Sequence, residues 1–297
     1  MVYTVTLNPA IDYILKLPIL REGATNRAAA AEIQFGGKGI NVSCVLRELG
    51  VENTALGFAA GFTGDALTSH LAARGVCADL ISLPEGLTRI NVKLKTDRGE
   101  TEINASGPAI PQEALEALMD KLDQLTEGDM LVLAGSIPPS LPRDLYSRIM
   151  AELSGRGIRF VVDAEGAVLE AVLPHRPFLV KPNRSELEGL AGRKLPGEDD
   201  LKNAATALQR AGAQNVLVSL GGEGALLLDE FGVFHRASAA DIRPVNTVGA
   251  GDSMVAGFVA GVAQGYDYAL KLGIAAGGAT AASDGLADRR RIFDLMK

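Results

Sequence analysis

The chain has 297 residues, of which 47% are hydrophobic and 22% are charged, and its formal net charge is −7 at pH 7. This composition excludes an intrinsically disordered protein, because it supplies ample apolar material for a core. The acidic balance argues against a general nucleic-acid binder, which needs a basic surface to neutralise phosphates.

The first part of the chain alternates strand-like and helix-like segments. Val2–Leu7 is rich in β-branched residues and predicts a strand, whereas Ile40–Leu49 has the apolar spacing of a helix. The segments expected next are a strand at Thr54–Phe58, a helix at Gly64–Arg74 and a strand at Asp79–Ser82. The N-terminus lacks the basic region of a signal peptide, so we expect a cytoplasmic protein.

Two stretches, residues 12–35 and 88–105, interrupt this alternation. Thr88–Lys95 and Glu100–Asn104 flank the charged turn Asp97-Arg98-Gly99, which predicts a β-hairpin. The earlier stretch has short alternating apolar positions of its own. These strands are available to form a second, smaller sheet.

The remainder of the chain indicates buried parallel strands between helices. An amphipathic helix is expected at Pro111–Leu125. Short apolar runs, typical of strands covered on both faces, lie at Met130–Ala134, Arg159–Asp163, Phe178–Lys181, Asn215–Leu220 and Ala225–Asp229. The uncharged stretch Ser253–Tyr266 is shorter than the roughly 20 residues of a membrane span and predicts a buried helix.

These patterns predict one doubly wound α/β domain with a mostly parallel sheet flanked by helices. The predicted core comprises residues 1–11, 36–87 and 106–297. The predicted lid is a small discontinuous β-sheet formed by residues 12–35 and 88–105. Neither the two scattered cysteines nor the three scattered histidines indicate a disulfide framework or a metal cage.

The glycine motifs are not those of two familiar nucleotide-binding classes. The chain has no GxxxxGK[ST] string and no complete GxGxxG string. Gly249-Ala250-Gly251 instead precedes a long apolar helix, where free backbone N–H groups and the helix dipole favour an anion. Asp252, which follows, has two interpretations: it caps the helix, or it is a general base beside a phosphate site.

Three further clusters allow a structural and a functional interpretation. Glycines around Lys38 form a turn, or leave room for a ligand beside a positive charge. Asn183 and Glu186 have the spacing of a capping box, although Glu186 could also reach a hydrated Mg²⁺. The segment Ser219–Gly224 is a plain hairpin turn, or a surface against which a nucleotide lies.

Taken together, the motifs resemble the phosphofructokinase B branch of the ribokinase-like sugar kinases. The matching segments extend along the whole chain: Thr6–Asp12, Gly36–Asn41, Thr88–Lys93, Ala134–Pro138, Lys181–Asn183 with Glu186, Ser219–Gly224 and Thr247–Asp252. The resemblance implies a ribokinase-like fold and an ATP-dependent kinase that acts on a ketohexose phosphate.

The lid motifs bear on the sugar. Thr88–Lys93 most resembles members that convert D-fructose 1-phosphate to fructose 1,6-bisphosphate. Asn26-Arg27 and Thr101–Ile103 resemble tagatose-6-phosphate kinases, which keeps that substrate open. Thr25 stands where some 6-phosphofructokinases have lysine, which weakens the fructose 6-phosphate alternative. A phosphosugar-binding regulator on a retired kinase fold is disfavoured because Asp252 and its glycines are intact.

The resemblance also implies roles for single residues. Asp252 would be the general base, and the backbone N–H groups of Gly249, Ala250 and Gly251 would hold the transferring phosphoryl charge. The residues implied for the sugar are Asp12, Gly37, Asn41, Ser136, Arg27 and Asn104, with Lys38 and Arg89 on its phosphate. Those implied for ATP are Lys181, Asn183, Ser219, Gly221, Gly224, Thr247 and Gly278. Mg²⁺ would arrive with the nucleotide and be influenced by Glu186 through water.

In relatives the lids of two subunits clasp each other, so a homodimer is expected, with no nucleic-acid or membrane partner.

Overall fold

The computed structural model describes residues 1–296. The strands are, in chain order, β1 (Val2–Thr6), β2 (Ala10–Lys16), β3 (Ala30–Gly36), β4 (Asn53–Ala60), β5 (Cys77–Leu83), β6 (Arg89–Thr96), β7 (Gly99–Ile103), β8 (Met130–Ala134), β9 (Arg159–Asp163), β10 (Leu179–Val180), β11 (Asn215–Ser219), β12 (Ala225–Leu228) and β13 (Phe234–Ala237). The helices are α1 (Lys38–Glu48), α2 (Gly61–Ala73), α3 (Gln112–Leu122), α4 (Leu145–Glu152), α5 (Gly166–Val172), α6 (Arg184–Ala191), α7 (Glu198–Arg210), α8 (Ala250–Gly261), α9 (Tyr266–Ala281) and α10 (Arg289–Asp294).

Nine strands form one large sheet in the order β13-β12-β11-β10-β9-β8-β1-β4-β5. The strands from β11 to β5 are parallel, whereas β12 and β13 are antiparallel additions at one edge. The apolar run that predicted β12 therefore does not belong to a further parallel strand, because its connection from β11 is too short for a helical crossover. The strand β13 was not predicted from the sequence.

Helices cover both faces of this sheet, which explains why its strands are continuously apolar. In β8, Leu133 belongs to one apolar layer with Leu118 of α3 and Ile149 of α4. The next residue back, Val132, points to the other face and belongs to a layer with Val255 of α8. The predicted doubly wound α/β class is confirmed.

The uncharged stretch after Asp252 contains more than one helix. Helix α8 ends at Gly261, a short 3₁₀ turn covers Val262–Gln264, and α9 begins at Tyr266. Gly265 separates them with a φ of 106°, a conformation that side chains other than glycine rarely adopt. Among the helices described up to residue 296, none is both long enough and apolar enough to cross a bilayer.

Four strands form a second, smaller sheet, in the order β3-β2-β6-β7. Strands β2 and β6 are parallel, and the two outer strands are antiparallel to their neighbours. The sheet thus combines two segments that are distant in sequence, within residues 10–36 and 89–103. Its first strand begins at Ala10, slightly before the stretch that the sequence pattern singled out.

The order of the large sheet places a crevice between β8 and β1. The chain leaves β1 to build β4 and β5 on one side, and later returns to build β8 on the other side. Ligands of open α/β sheets bind at such a reversal, outside the carboxyl ends of the strands. In this protein the crevice lies beyond the carboxyl ends of β1, at Thr6, and of β8, at Ala134.

Candidate active site

A cavity of about 1190 Å³ lies between the carboxyl ends of the large sheet and the small sheet. Its wall on the large sheet includes residues at or just after the ends of β1, β8, β9, β10 and β11. Its other wall comes from one face of β2 and β6. The small sheet therefore covers the crevice that the strand order predicts.

Fifteen of the residues implied by the sequence resemblance line this cavity. They are Asp12, Gly37, Lys38, Asn41, Arg89, Asn104, Ser136, Lys181, Asn183, Glu186, Ser219, Gly221, Gly249, Gly251 and Asp252. Five others lie outside the described lining: Arg27, Gly224, Thr247, Ala250 and Gly278. The functional roles of all twenty stay predictions.

The start of α8 forms the floor of the cavity. Gly249 is the N-cap residue with a φ of 79°, so it is in the left-handed region that glycine tolerates. Asp252 lies in the first turn of the helix and does not provide the cap, so the capping interpretation of Asp252 is wrong. Its side chain is free of that role and accepts a hydrogen bond from Asn41 Nδ2 to Oδ2 at 2.8 Å.

Asp252 is only 6% exposed, and its surroundings raise the pKa of its carboxyl above the ordinary value. Burial raises the pKa of Asp252 to about 6, with a further contribution from the negative charge of Asp163. The hydrogen bond from Asn41 and the charges of Lys38 and Lys181 act in the opposite direction. Such a pKa suits a group that must take a proton near neutral pH.

A second buried carboxylate, Asp163, contacts two lysines that the sequence resemblance implies as site residues. It is 1% exposed at the end of β9, and its Oδ1 lies 3.2 Å from Lys38 Nζ and 3.5 Å from Lys181 Nζ. Burial alone would raise the pKa of Asp163, but the two ammonium groups lower it. The same attraction outweighs burial at Lys38 and raises the pKa of that amine. Asp163 keeps both lysines at the cavity wall.

Asp163 was not predicted as a site residue. Its Oδ2 is buried and has no hydrogen-bond partner in the described part of the chain. One sequence signal could have found it, because it is the polar residue that ends a buried apolar strand. Polar residues at that position face the crevice of an open α/β sheet.

The Asn183–Glu186 pair forms the capping box that its spacing indicates. Glu186 N–H donates to Asn183 Oδ1 at 2.8 Å, and Asn183 N–H donates to Glu186 Oε2 at 2.8 Å. Both residues also line the cavity. The structural and functional interpretations are therefore compatible here, since the capping box leaves Glu186 Oε1 out of its bonds.

The glycine-rich turn after β11 connects this strand to β12 in a hairpin. Strands β11 and β12 pair from Ser219 opposite Ala225, with a 3₁₀ turn at Gly221–Glu223 between them. A side chain at Gly224 would collide with the carbonyl oxygen of Ala237, so close backbone packing explains that glycine. Ser219 and Gly221 are the residues of this turn that reach the cavity.

The small sheet presents a polar face to the cavity. Asp12 Oδ1 accepts a hydrogen bond from Asn91 Nδ2 at 2.9 Å, and Asp12 Oδ2 lies 3.3 Å from Lys93 Nζ. Arg89 lines the same face, and its buried Nε has no hydrogen-bond partner in residues 1–296. Asn91 and Lys93 were not predicted, although strand alternation from Arg89 places both on its face.

The comparisons with known proteins agree along the full length of the chain. The sequence model for the pfkB family of carbohydrate kinases matches residues 4–290. A 1-phosphofructokinase of Bacillus subtilis is 41% identical, covering 100% of this chain and 97% of the relative. A D-tagatose-1-phosphate kinase of Bacillus licheniformis is 36% identical, covering 97% and 95%. The crystal structure of phosphofructokinase-2 from Escherichia coli in complex with substrates and products superimposes with a TM-score of 0.93 at 30% identity, covering 99% of this chain and 98% of that one.

Proposed function

The chain belongs to the pfkB family of carbohydrate kinases, and we propose that it phosphorylates D-fructose 1-phosphate to fructose 1,6-bisphosphate with ATP. The observation that carries this proposal is the buried Asp252 carboxyl in the first turn of α8, beside two cavity lysines. The relatives' names support the sugar, and the cavity supplies a base and cations for phosphoryl transfer.

Asp252 is the proposed general base. It accepts the proton of the sugar hydroxyl as that oxygen attacks the γ-phosphorus of ATP and the bond to ADP breaks. Asn41 holds the carboxylate by its hydrogen bond to Oδ2. The N–H groups at the start of α8 and the Lys181 ammonium face the transferring phosphoryl group, where negative charge must be stabilised. A Cβ on Gly251 would lie 3.4 Å from Lys181 Nζ, which places that amine close to the helix start.

Arg89 and Lys38 are the proposed ligands of the phosphate that the sugar already carries. The guanidinium of Arg89 has donors in a planar fork that matches phosphate oxygens. Its buried Nε lacks an acceptor, which an incoming anion would supply. Asp12 and Asn104 on the lid, and Ser136 after β8, are proposed to bind the sugar hydroxyls, and the backbone of Gly37 is proposed to lie against the sugar.

The ATP phosphates are proposed to lie along Lys181, Asn183, Ser219 and Gly221. Magnesium would be held by these phosphates, with Glu186 contacting its water ligands through the oxygen that the capping box leaves out. When bound, the ion neutralises charge on the nucleotide and on the group in transfer.

The sugar is tested by a substrate panel. Initial rates with ATP are compared for fructose 1-phosphate, tagatose 1-phosphate, tagatose 6-phosphate and fructose 6-phosphate. We expect the highest kcat/KM with fructose 1-phosphate, and a higher value with tagatose 1-phosphate would replace it as the substrate. The D-tagatose-1-phosphate kinase relative makes tagatose 1-phosphate the second candidate. A higher kcat/KM on either 6-phosphate would overturn the proposed sugar, and no turnover on any of the four would overturn the kinase assignment within this substrate class.

A homodimer through the lid is proposed from the outer face of the small sheet. One row of side chains, Ile33, Tyr13, Val92 and Ile103, crosses all four strands in register. Ile33 is 56% exposed and Ile103 is 59% exposed, on the face opposite to Asp12 and Lys93. An exposed apolar row on a sheet is typical of a surface that another protein covers.

The dimer is tested by sedimentation velocity. We expect the wild-type chain to sediment as a dimer and the Ile33→Asp/Ile103→Asp variant as a monomer, because each aspartate would be desolvated in the interface. Phe231→Asp is the matched control, since Phe231 is exposed in the turn between β12 and β13, outside the small sheet. A monomeric wild-type chain, or equal dissociation in the control, would refute this interface.

A further inference from the structure

The lid contains a buried lysine that the proposed mechanism does not use. The Lys93 side chain is 7% exposed, although it is on a four-stranded sheet with one outer face in solvent. Burying an ammonium group is costly unless it is paired. Its pairs are Asp12 Oδ2 and Glu102 Oε1, each at 3.3 Å. Burial alone would lower the pKa of Lys93, but these two carboxylates raise it, so the side chain stays charged.

The bonds to Asp12 fix the plane of its carboxylate. Asn91 donates to Oδ1 and Lys93 contacts Oδ2, so each oxygen has a different donor from β6. Asn91 is itself held, because its Oδ1 accepts a hydrogen bond from the Ala105 N–H at 3.2 Å. A carboxylate oxygen has about two lone-pair sites, so each oxygen keeps one acceptor site for a ligand.

Glu102, on the neighbouring strand β7, holds Lys93 in place. It is opposite Lys93 in the β6–β7 register, and its other oxygen lies 3.5 Å from Asn104 Nδ2. Lys93 is therefore tethered between two carboxylates. Asp12, Glu102 and Lys93 together carry one net negative charge, which repels a phosphate and favours hydroxyl donors at this end of the cavity.

We propose that Lys93, tethered by Glu102, is a positioning residue that orients the Asp12 carboxylate toward the sugar hydroxyls. The sugar's phosphate is then directed away from this group, toward Arg89 and Lys38. The inference rests on the proposed function, because it assumes that Asp12 binds the sugar.

The first test measures KM for both substrates in the Lys93→Met variant. We expect KM for the sugar phosphate to rise by about tenfold or more, the effect of losing a hydrogen bond to a charged group. KM for ATP should stay within about twofold, and kcat should change less than KM for the sugar, because the weakened contact to the sugar is made equally before and during the reaction and the base is unchanged. Lys93→Arg should restore most of the sugar affinity.

Lys95→Met is the matched control. Lys95 is on the same face of β6, two residues further along, and lies outside the cavity lining. We expect both KM values of this variant to match the wild type. A rise of similar size in the Lys95 variant, or an equal rise in KM for ATP in the Lys93 variant, would overturn the inference.

The second test is a double-mutant cycle with Asp12→Ala. If Lys93 acts through Asp12, Lys93→Met should add no further increase in sugar KM to that of Asp12→Ala. If the double variant instead raised the sugar KM by the product of the two single effects, Lys93 would act independently of Asp12. If Asp12→Ala leaves the KM of every sugar phosphate unchanged, the proposed function of Asp12 is wrong. If Asp12→Ala raises KM and Lys93→Met does not, the present inference alone is wrong.

Glu102→Gln covers the case in which Lys93→Met does not fold. This variant keeps Lys93 beside Asp12 but weakens its tether, and the Glu102 side chain is 44% exposed. We expect a rise of about two- to fivefold in KM for the sugar phosphate, in keeping with a partly exposed ion pair. No change in this variant, with unaltered thermal unfolding, would count against the tether.

Discussion

Replacing Asp252 with asparagine is expected to lower kcat by about 10²- to 10⁴-fold, the usual contribution of a general base. The amide has nearly the shape of the carboxylate, so its oxygen can still accept the hydrogen bond from Asn41. It cannot accept the proton of the sugar hydroxyl. KM for ATP and for the sugar phosphate should therefore change far less than kcat. A kcat near the wild-type value in this variant would remove Asp252 as the base.

The pH dependence gives an independent readout of the same residue. In the wild type, kcat/KM should fall as the pH drops through about 6, because the raised pKa of Asp252 leaves the carboxyl protonated below that value. A phosphate monoester titrates in the same range, so the sugar phosphate also contributes to the fall of kcat/KM at low pH, the acid limb of the profile. The contribution of Asp252 is the part of this acid limb that disappears in Asp252→Asn.

Asp129→Asn is the control for loss of a buried carboxylate. Asp129 is also buried at the large sheet, where it contacts the N-terminal amine at 3.0 Å, and it lies outside the cavity lining. We expect this variant to lose stability but to keep the wild-type kcat and the wild-type acid limb.

Replacing Arg89 with alanine is expected to raise KM for the sugar phosphate by about 10- to 100-fold, the effect of losing charge-assisted hydrogen bonds to phosphate. KM for ATP should change by about twofold at most, because Arg89 is on the lid wall, in the first position of β6. Arg89→Lys should recover only part of the affinity, since an ammonium group lacks the planar fork. Steady-state kinetics with each substrate varied in turn measures both constants.

Arg98→Ala is the matched control for Arg89. Arg98 is exposed in the turn between β6 and β7 and lies outside the cavity lining. It should leave both KM values unchanged. Equal increases in the two KM values of Arg89→Ala would show that Arg89 does not bind the sugar's phosphate.

Local sequence patterns were sufficient for most of the large sheet. The apolar runs at Met130–Ala134 and Arg159–Asp163 match β8 and β9 residue for residue, because buried parallel strands are apolar on both faces. The same pattern does not give strand direction, so it leaves β12 either among the parallel strands or in a hairpin with β11, which is the arrangement observed. The strand β13 is not evident from the sequence because it is a short edge strand, and its residues, Phe-His-Arg-Ala, do not form a continuous apolar run.

The site was less accessible to local patterns, since it depends on residues that are distant in sequence. Asp163 lies 125 positions from Lys38, and the two meet because β9, which ends at Asp163, and β1, on which α1 packs, are both neighbours of β8. The distinction between cap and base at Asp252 depended on where α8 begins, which sequence patterns locate poorly. Asn91 and Lys93 could have been found, because both follow Arg89 in the period of two of a strand.

The small sheet has two faces, and this has a thermodynamic consequence for the enzyme. Its polar face carries Asp12 and Lys93, and its apolar face carries the row from Ile33 to Ile103, on the same four strands. If a second copy orders these strands from outside, the sugar phosphate meets a sheet that has already lost conformational entropy. Linkage requires the reverse as well, so sugar phosphate would strengthen the association by the same factor. The apparent sugar affinity of this enzyme would then depend on its own concentration.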